Sequence, residues 1–292
     1  MPIRTNDRAL VTGAAAGLGL ALTTQLSQRG CRVLATDLAL ETPAALADLP
    51  GVSYRRLDVR SADDWNAAGE TVSAQWRGLD LLVNNAGIGA GGSLDEEPVE
   101  RWEEVIATNL LGVVRGCKTF APLMKQQSSG HIVNIASAAG LVHLPRMGSY
   151  CSVKAGVVAL SESLMFELEP FGVRVSAVCP SFFQTGIATS MPAGPAKRMA
   201  TAMLNASGRS AEQVAHATLA GVDAGRHLIL PDGEARTAYL AKRFARRLYL
   251  RRVRALAAAG RRAPGRSARL PTRIPMTLLM DQARQLVRGF RT

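Results

Sequence analysis

A regular alternation of short apolar runs with amphipathic segments constrains the fold of this chain more than any other feature. Seven runs of strand length recur, at residues 8–12, 31–36, 52–57, 79–83, 131–136, 173–178 and 227–230. Segments of helical length separate them and begin near residues 18, 41, 62, 99, 149 and 210. Such alternation builds a parallel sheet with helices on both faces. The sequence therefore predicts an α/β fold with a doubly wound parallel sheet, whose ligands bind at the carboxyl ends of the strands.

One connection, residues 181–209, is much longer than the others. Its large apolar side chains are Phe182, Phe183, Ile187, Met191, Met199 and Met203. A long connection with this composition is typical of a lid over a binding site. The alternative is an irregular segment that packs on the core.

The turn after the first strand, TGAAAGLG at residues 12–19, contains Gly13, Gly17 and Gly19. Glycines permit a positive φ and let the main chain approach a pyrophosphate, whose charge is favoured at a helix N-terminus. The spacing differs from the common GxGxxG fingerprint, so a purely structural turn is the alternative.

Asp37 ends the second predicted strand, where a carboxylate can accept both hydroxyls of an adenosine ribose and repel a 2′-phosphate. Residues 14–16 of the glycine turn are all alanine, so this turn offers no cation to a phosphate. The pattern favours NAD over NADP. Asp37 can also cap a helix N-terminus, and the two roles are compatible.

Tyr150 and Lys154 stand four positions apart in SYCSVKAG, so a helix would place both on one face. Other short motifs accompany the pair: TGAAAGLG, DV at 58–59, NNAG at 84–87, Asn109, Ser137 and P-S-x-x-x-T at 180–185. In order and spacing they resemble the short-chain dehydrogenase/reductase family over roughly residues 5–233. Ser181 departs from the family, which usually has glycine there. The resemblance implies a Rossmann-like single domain.

The resemblance implies an oxidoreductase that interconverts a secondary alcohol and a ketone by hydride transfer to or from NAD. Tyr150 would be the general acid and base, Ser137 would bond the substrate oxygen, and Asn109 would hold a water that links Lys154 to solvent. An ammonium about 4 Å from the phenol is worth about 4 kcal/mol at an effective dielectric near 20, enough to lower a phenol pKa by about three units. A related epimerase or dehydratase, or a non-catalytic dinucleotide-binding scaffold, is the alternative.

The resemblance also implies the cofactor contacts. They are Gly13, Ala16, Gly17, Leu18, Gly19, Asp37, Leu38, Asp58, Val59, Asn85, Ala86, Gly87, Tyr150, Lys154, Pro180, Phe183 and Thr185. In this set Asp58 would bond the adenine amino group and Lys154 the nicotinamide ribose. Segments near 99–126 and 149–171 are the family's usual pairing surfaces, so we expect a homodimer or homotetramer.

Mostly apolar residues are expected around the substrate. Leu141, Val142, Leu144 and Met147 would form one wall and the 181–209 segment the other. The predicted substrate contacts are Val142, His143, Met147 and Phe182, with a surface position as the alternative for His143. A bulky hydrophobic alcohol or ketone suits these walls better than a sugar or a short hydroxy acid.

Charge divides the chain near residue 235. Residues 236–292 contain 16 Lys and Arg against one acid, a net charge of +15, which leaves −3 for residues 1–235. We therefore expect an NAD-binding catalytic domain at 1–235 and a basic, amphipathic helical extension at 236–292. Its helices are predicted at 238–259 and 276–290. The predicted apolar side of the first consists of Leu240, Ala241, Phe244, Ala245, Leu248, Tyr249 and Leu256.

Three interpretations of the extension remain open. It can dock on the core or on a sister subunit, or it can contact an anionic membrane surface. Nucleic acid is disfavoured, because no recognisable binding motif accompanies the charge.

The four cysteines and four histidines have no metal-ligand spacing, so we expect no metal site. The apolar runs are shorter than the roughly 18 residues of a membrane span, and a strand-like run begins too early to leave room for a signal peptide. We expect a cytoplasmic protein, with peripheral contact at the inner face of a membrane as an alternative.

Overall fold

Seven short strands form one parallel sheet in the computed structural model, which describes residues 2–261. They are β1 (Arg8–Thr12), β2 (Arg32–Asp37), β3 (Val52–Arg56), β4 (Leu81–Asn84), β5 (Gly130–Ile135), β6 (Val173–Val178) and β7 (Leu228–Ile229). Their spatial order is β3-β2-β1-β4-β5-β6-β7. The winding reverses between β1 and β4, which is where such sheets bind ligands. The predicted doubly wound α/β fold is confirmed.

Helices cover both faces of the sheet. They are α1 (Gly17–Gln28), α2 (Ala44–Ala47), α3 (Ala62–Trp76), α4 (Val99–Ile106), α5 (Gly112–Gln127), α6 (Gly148–Leu168), α7 (Pro195–Ala206), α8 (Ala211–Asp223), α9 (Gly233–Phe244) and α10 (Arg246–Arg261). One core layer packs Leu22 of α1 and Leu219 of α8 on the sheet. The opposite layer packs Trp65 of α3 and Phe120 of α5. Burial on both faces explains the continuous apolar strands.

A π-helical segment, Ala107–Leu111, joins α4 to α5 and buries Asn109 completely. Single π-turns inside helices occur frequently at functional sites. The widened turn places this amide beside β4, at the edge of the sheet where the ligand crevice lies.

Two predicted regions differ from the structure. The 181–209 segment contains α7, which begins with Pro195 at its first position after Gly194, a favourable helix start that the sequence analysis missed. The single helix expected at 238–259 is instead two helices, because the backbone leaves helical geometry at Ala245 (φ −124°, ψ 44°). The break leaves Phe244 74% exposed rather than on a buried apolar side.

The expected boundary at residue 235 falls inside α9. The second predicted helix, 276–290, lies outside the described residues. Within residues 2–261, none of the helices combines the length and the apolar character needed to cross a membrane.

Candidate active site

A cavity of about 1040 Å³ opens at the carboxyl ends of the strands. The glycine turn, Asp37 and Asp58 line one end, called here the nucleotide end. The 181–204 region and α10 line the other, called here the substrate end. Tyr150 and Lys154 lie between them. The volume is at the upper limit of the roughly 300–1,000 Å³ usual for small-molecule sites.

The two glycines of the turn that line the cavity pack too closely for side chains. Gly13 has φ +65°, and a Cβ there would lie 2.8 Å from the Cα of Ala86. Gly17 has φ +54°, and a Cβ there would lie 2.9 Å from Oγ1 of Thr185, which also lines the cavity. The N-cap of α1 is Ala16, and no side chain of the described residues caps this helix. Its first N–H groups therefore suit an anionic phosphate, and the turn fits a dinucleotide.

Two predicted cofactor residues support the turn from behind or beside it. Gly19 does not line the cavity; a Cβ there would lie 1.9 Å from the carbonyl oxygen of Gly13, so its role is close packing. Asn85 lines the cavity, and its Nδ2 donates to the carbonyl oxygens of Thr12 (2.8 Å) and Gly13 (3.1 Å). The sequence pattern located the turn but not which of its glycines face the ligand.

Asp37 lies at the end of β2 beside the glycine turn. Its carboxylate accepts from the backbone N–H of Ala15 (2.9 Å) and Leu38 (2.7 Å) and lines the cavity. The next helix, α2, has Pro43 at its N-cap, so Asp37 does not cap it. The carboxylate is held in place with its charge facing the nucleotide end.

The Asp58 carboxylate is bonded to a neighbouring guanidinium at the cavity wall, and the adenine bond expected for it stays a prediction. The carboxylate accepts from the Arg60 guanidinium, with Oδ2 2.7 Å from Nη2, and this hydrogen bond lowers the pKa of Asp58. The two charges offset each other at the cavity wall, since both residues line it.

Three of the four predicted catalytic residues meet at the middle of the cavity. Ser137 follows β5, and α6 presents Tyr150 and Lys154 on the same face. The Lys154 Nζ lies 5.8 Å from the centroid of the Tyr150 ring and donates to the carbonyl oxygen of Ile135 at 2.8 Å. Ser137 also lines the cavity, and its hydroxyl lowers the pKa of the Tyr150 phenol.

Burial dominates the proton affinities of this pair. Desolvation raises the pKa of Tyr150 to about 12, against the lowering effect of the Ser137 hydroxyl. Desolvation also lowers the pKa of Lys154 to about 8. The expected lowering of the phenol pKa is therefore wrong for this structure, because the cost of burying the phenolate is the largest contribution to the shift. As the pH rises, Lys154 loses its proton before Tyr150.

The side chain of Asn109 is hydrogen-bonded at both ends of its amide to one residue. Oδ1 accepts from the N–H of Ile88 and Nδ2 donates to its carbonyl oxygen, both at 2.8 Å. A Cβ on Gly87 would lie 3.1 Å from this Oδ1 and 3.7 Å from the Lys154 Nζ. Asn109 thus fixes the loop after β4 that approaches Lys154, and the water relay expected for Asn109 stays a prediction.

The substrate end contains most, but not all, of the predicted contacts. Val142, Met147 and Phe182 line it. His143 does not; its ring Nδ1 lies 3.4 Å from Nζ of Lys242, and its pKa is lowered by burial and by that cation. The exposed position of His143 favours the surface alternative, and the substrate contact expected for it stays a prediction. Leu141 also lies outside the cavity lining.

Several cavity residues were not predicted from the sequence. They are Leu204 beyond β6, and Glu234, Ala238, Tyr249, Arg252, Val253 and Ala255 in α9 and α10. The apolar residues of the 181–209 segment had signalled a lid. For α10, helical periodicity predicted an apolar side that includes Tyr249. It did not predict which surface of the protein that side packs against.

Ser181, the departure from the family pattern, is held from α9. Its backbone N–H donates to Oδ2 of Asp232 at 2.8 Å, and Oδ1 of the same carboxylate caps α9 through the N–H of Ala235 at 2.7 Å. No group of three or more potential metal ligands occurs within residues 2–261.

The parallel sheet, the glycine turn and the Tyr–Lys pair define a dinucleotide-dependent class, and comparison with known proteins identifies the family. The chain belongs to the short chain dehydrogenase family, which matches residues 7–196. It resembles 2-(R)-hydroxypropyl-CoM dehydrogenase of Xanthobacter autotrophicus, with 40% identity over 186 residues that cover 61% of this chain and 74% of that protein.

Two further similarities extend this result. Probable oxidoreductase EphD of Mycobacterium tuberculosis is 36% identical over 183 residues, 61% of this chain, but the chain spans only 31% of that longer relative. The crystal structure of a short chain dehydrogenase/reductase from Burkholderia phymatum in complex with NAD matches with a TM-score of 0.78 at 30% identity. That match covers 85% of this chain and 96% of the other.

Proposed function

We propose that the protein is an NAD-dependent oxidoreductase that interconverts a secondary alcohol and a ketone. The observation that carries the proposal is that Ser137, Tyr150 and Lys154 open into the same cavity as the glycine turn. Hydride chemistry needs a proton acceptor beside the reacting carbon, and this arrangement supplies one next to a nucleotide site. The hydroxypropyl substrate in the name of the Xanthobacter relative is also a secondary alcohol.

Ser137 and Tyr150 both line the middle of the cavity and bring two hydroxyl groups to one part of it. A substrate oxygen there accepts from Ser137 and exchanges its proton with the Tyr150 phenol. In oxidation the alcohol proton passes to the phenolate, and in reduction the phenol returns it to the ketone oxygen. The nicotinamide of NAD supplies the hydride acceptor or donor.

Burial of the phenol sets the direction of the pH dependence. Because burial raises the pKa of Tyr150 to about 12, the phenol form dominates at neutral pH. Oxidation needs the phenolate, so its rate rises with pH on the alkaline side, whereas reduction needs the phenol and falls. The positive charge of oxidised NAD favours the phenolate when the cofactor is bound.

NAD rather than NADP is the proposed cofactor. Asp37 presents a carboxylate at the nucleotide end, and the alanines of the turn offer no cation. The Arg60 guanidinium, also in the wall, is bound to Asp58. The Burkholderia structure with NAD supports this choice.

The proposed substrate is a bulky hydrophobic alcohol or ketone. The substrate end is walled by Val142, Met147, Phe182, Met191, Met203 and Leu204. Apolar walls bind apolar ligands by removing their surface from water. Cyclic and aromatic secondary alcohols should therefore give a higher kcat/KM than small polar ones when NADH formation is followed; the opposite ranking would exclude this substrate class.

The decisive test of the activity is Tyr150→Phe. It removes the proton-transferring hydroxyl and keeps the ring, so kcat should fall by about a thousandfold while NAD binding stays within about twofold. Tyr54→Phe, at a tyrosine outside the cavity lining, is the matched control and should keep full activity. Unchanged turnover in the Tyr150 variant would refute the proposed role.

Product analysis of the wild-type protein separates the alternatives. A scaffold binds NAD without turnover, and an epimerase or dehydratase changes the substrate without net formation of NADH. Either result would refute the oxidoreductase and retain the dinucleotide site.

A homodimer or homotetramer is the proposed assembly. Leu111, Phe166 and Phe171, beside or within α5 and α6, are 40%, 63% and 44% exposed. Exposed large apolar side chains on adjacent helices are typical of an interface between copies. Light scattering on the eluting protein should give a multiple of the chain mass, and Phe166→Asp should lower it; a monomeric wild type would exclude this assembly.

Peripheral contact with an anionic membrane from the cytoplasmic side is a second proposed property. Phe244 is 74% exposed and lies among exposed Arg243, Arg246 and Arg247. Residues 236–261 contain nine Lys and Arg and no acid. The protein should co-sediment with phosphatidylserine-containing vesicles and not with phosphatidylcholine vesicles, and Phe244→Ala should weaken this; equal partitioning would exclude the membrane. Nucleic acid is not proposed.

A further inference from the structure

One face of α10 forms part of the cavity wall. Tyr249, Arg252 and Val253 all line the cavity, and their spacing of three and four residues places them on one side of the helix. Tyr249 is buried, at 6% exposure. Arg251 and Arg254 are exposed. The helix therefore has an inner face toward the cavity and an outer, basic face.

The inner side of the extension is bonded to the 141–143 segment. The Tyr249 hydroxyl accepts from the backbone N–H of His143 at 3.1 Å and donates to its carbonyl oxygen at 3.0 Å. Lys242 Nζ donates to the carbonyl oxygen of Leu141 at 2.6 Å. One phenol thus satisfies a donor and an acceptor of a single residue, which fixes both the distance and the angle between α10 and this segment.

The bonded segment belongs to the substrate end. It lies between Ser137 and Tyr150 in the chain, and its Val142 lines the cavity. The start of α9, from which the extension continues, is bonded to the loop after β6, because Asp232 accepts from the N–H of Ser181 while capping α9. The extension is thus anchored at the beginning of α9 and again at Lys242 and Tyr249, and the turns of α10 beyond Tyr249 contribute Arg252 and Val253 to the cavity wall.

We propose that α10 is a wall of the substrate site that limits substrate size, with Val253 as a specificity-determining residue. Tyr249 is a positioning residue that holds the 141–143 segment against this wall. The substrates concerned are secondary alcohols or ketones whose ring or chain extends from the reacting carbon toward α10. The kinetic part of this inference rests on the proposed function, but the wall itself is testable without catalysis.

The first experiment introduces the same large side chain on the two faces of α10. Val253→Trp fills the cavity, so kcat/KM for 1-tetralol should fall at least about tenfold while that for 2-butanol changes less than about threefold. Arg251→Trp adds the same ring to the outer face and should leave both values unchanged. Equal effects of the two variants would overturn the proposal that α10 is a wall of the substrate site.

A smaller side chain at Val253 tests the same residue if the tryptophan variant does not fold. Val253→Ala widens the cavity, so the preference should shift toward alcohols larger than 1-tetralol. An unaltered size preference in this variant would overturn the role of Val253.

Tyr249→Phe tests the positioning role, since it keeps the ring and removes both hydrogen bonds to His143. KM for 1-tetralol should rise about threefold to tenfold, with kcat and the KM for NAD unchanged. A purely structural role would instead lower stability and change both KM values together. Equal KM values in variant and wild type would overturn the positioning role.

A binding assay separates this inference from the proposed activity. The neutral fluorescent probe N-phenyl-1-naphthylamine, added in the presence of NAD, should bind at least about tenfold more weakly to Val253→Trp than to the wild type or Arg251→Trp. If this holds but no alcohol or ketone is converted, the wall stands and the proposed function fails. If probe binding is the same in all three proteins, the wall is refuted whatever the activity.

Discussion

The two ends of the cavity differ in whether main-chain or side-chain atoms form the wall. Main chain and glycines form much of the nucleotide end, where added Cβ atoms would lie within 3 Å of neighbouring atoms at Gly13 and Gly17. Side chains form the substrate end, from segments as distant in the chain as Val142 and Val253. The nucleotide end therefore requires a fixed backbone, whereas the substrate end requires only a suitable volume and polarity.

The largest effect should follow a change of backbone contact at the nucleotide end. Gly17→Val places a branched side chain at φ +54° and toward Oγ1 of Thr185, so the Kd for NAD should rise at least about a hundredfold, or about 3 kcal/mol. Gly233→Val is the control, because a Cβ there meets nothing within 4 Å. Calorimetry of NAD binding measures both. Unchanged affinity for NAD in the Gly17 variant would show that the nucleotide end does not require a fixed backbone.

A smaller effect is expected from a change of charge at the same end. Asp37→Asn keeps an acceptor for the N–H groups of Ala15 and Leu38 but removes the repulsion of a 2′-phosphate. The ratio of kcat/KM for NAD to that for NADP should fall about tenfold. Asp48→Asn, at an exposed carboxylate, should leave the ratio unchanged. A ratio that does not move would locate cofactor selection elsewhere.

Between the two ends, Lys154 should make stability depend on pH. Its pKa is lowered from 10.5 to about 8 in the folded chain, so between these values the unfolded chain binds more protons and the free energy of unfolding rises with pH. Below pH 8 the folded state bears the full cost of the buried ammonium.

Lys154→Met removes this titration. The variant should therefore be more stable than the wild type at pH 7, by about 3 kcal/mol, with the difference decreasing toward pH 10. Urea unfolding at several pH values measures it, with Lys118→Met, at an exposed lysine, as the control. A stability difference independent of pH would show that the burial of Lys154 is not the cause.

The smallest effect belongs to the substrate end. Met203→Ala removes a flexible side chain from the apolar wall, so kcat/KM for 1-tetralol should fall about threefold, with the KM for NAD within about twofold. Met199→Ala, at a methionine outside the cavity lining, is the control. A hundredfold fall in kcat/KM, as large as the effect expected for Gly17→Val on NAD binding, would show that the substrate end is as sensitive to substitution as the nucleotide end.

The fold was predictable because its signals are local. The run at 8–12 coincides with β1, and Gly13 and Gly17 immediately follow it, so a continuous apolar run and its turn identified both the strand and the site at its end. The same locality applies to Tyr150 and Lys154, whose spacing alone places them on one face of α6. Their surroundings also followed from the parallel sheet, which gathers strand ends at one edge.

The rest depends on contacts between distant segments. Desolvation of Tyr150 follows from packing around it, which no spacing in the chain reports, so the direction of its pKa shift was wrong. The orientation of His143 depends on Lys242, about a hundred residues further along the chain. Periodicity indicated the apolar side of α10, but not that Tyr249 bonds to the 141–143 segment.

The attachment of α10 after the final strand has a consequence for divergence among relatives. The family match ends at residue 196, before α9 and α10 begin. With α10 as the proposed wall of the substrate end, mutations in α10 would change which substrates bind and leave Ser137, Tyr150 and Lys154 in place. Substrate choice could then diverge among relatives while the catalytic residues stay the same.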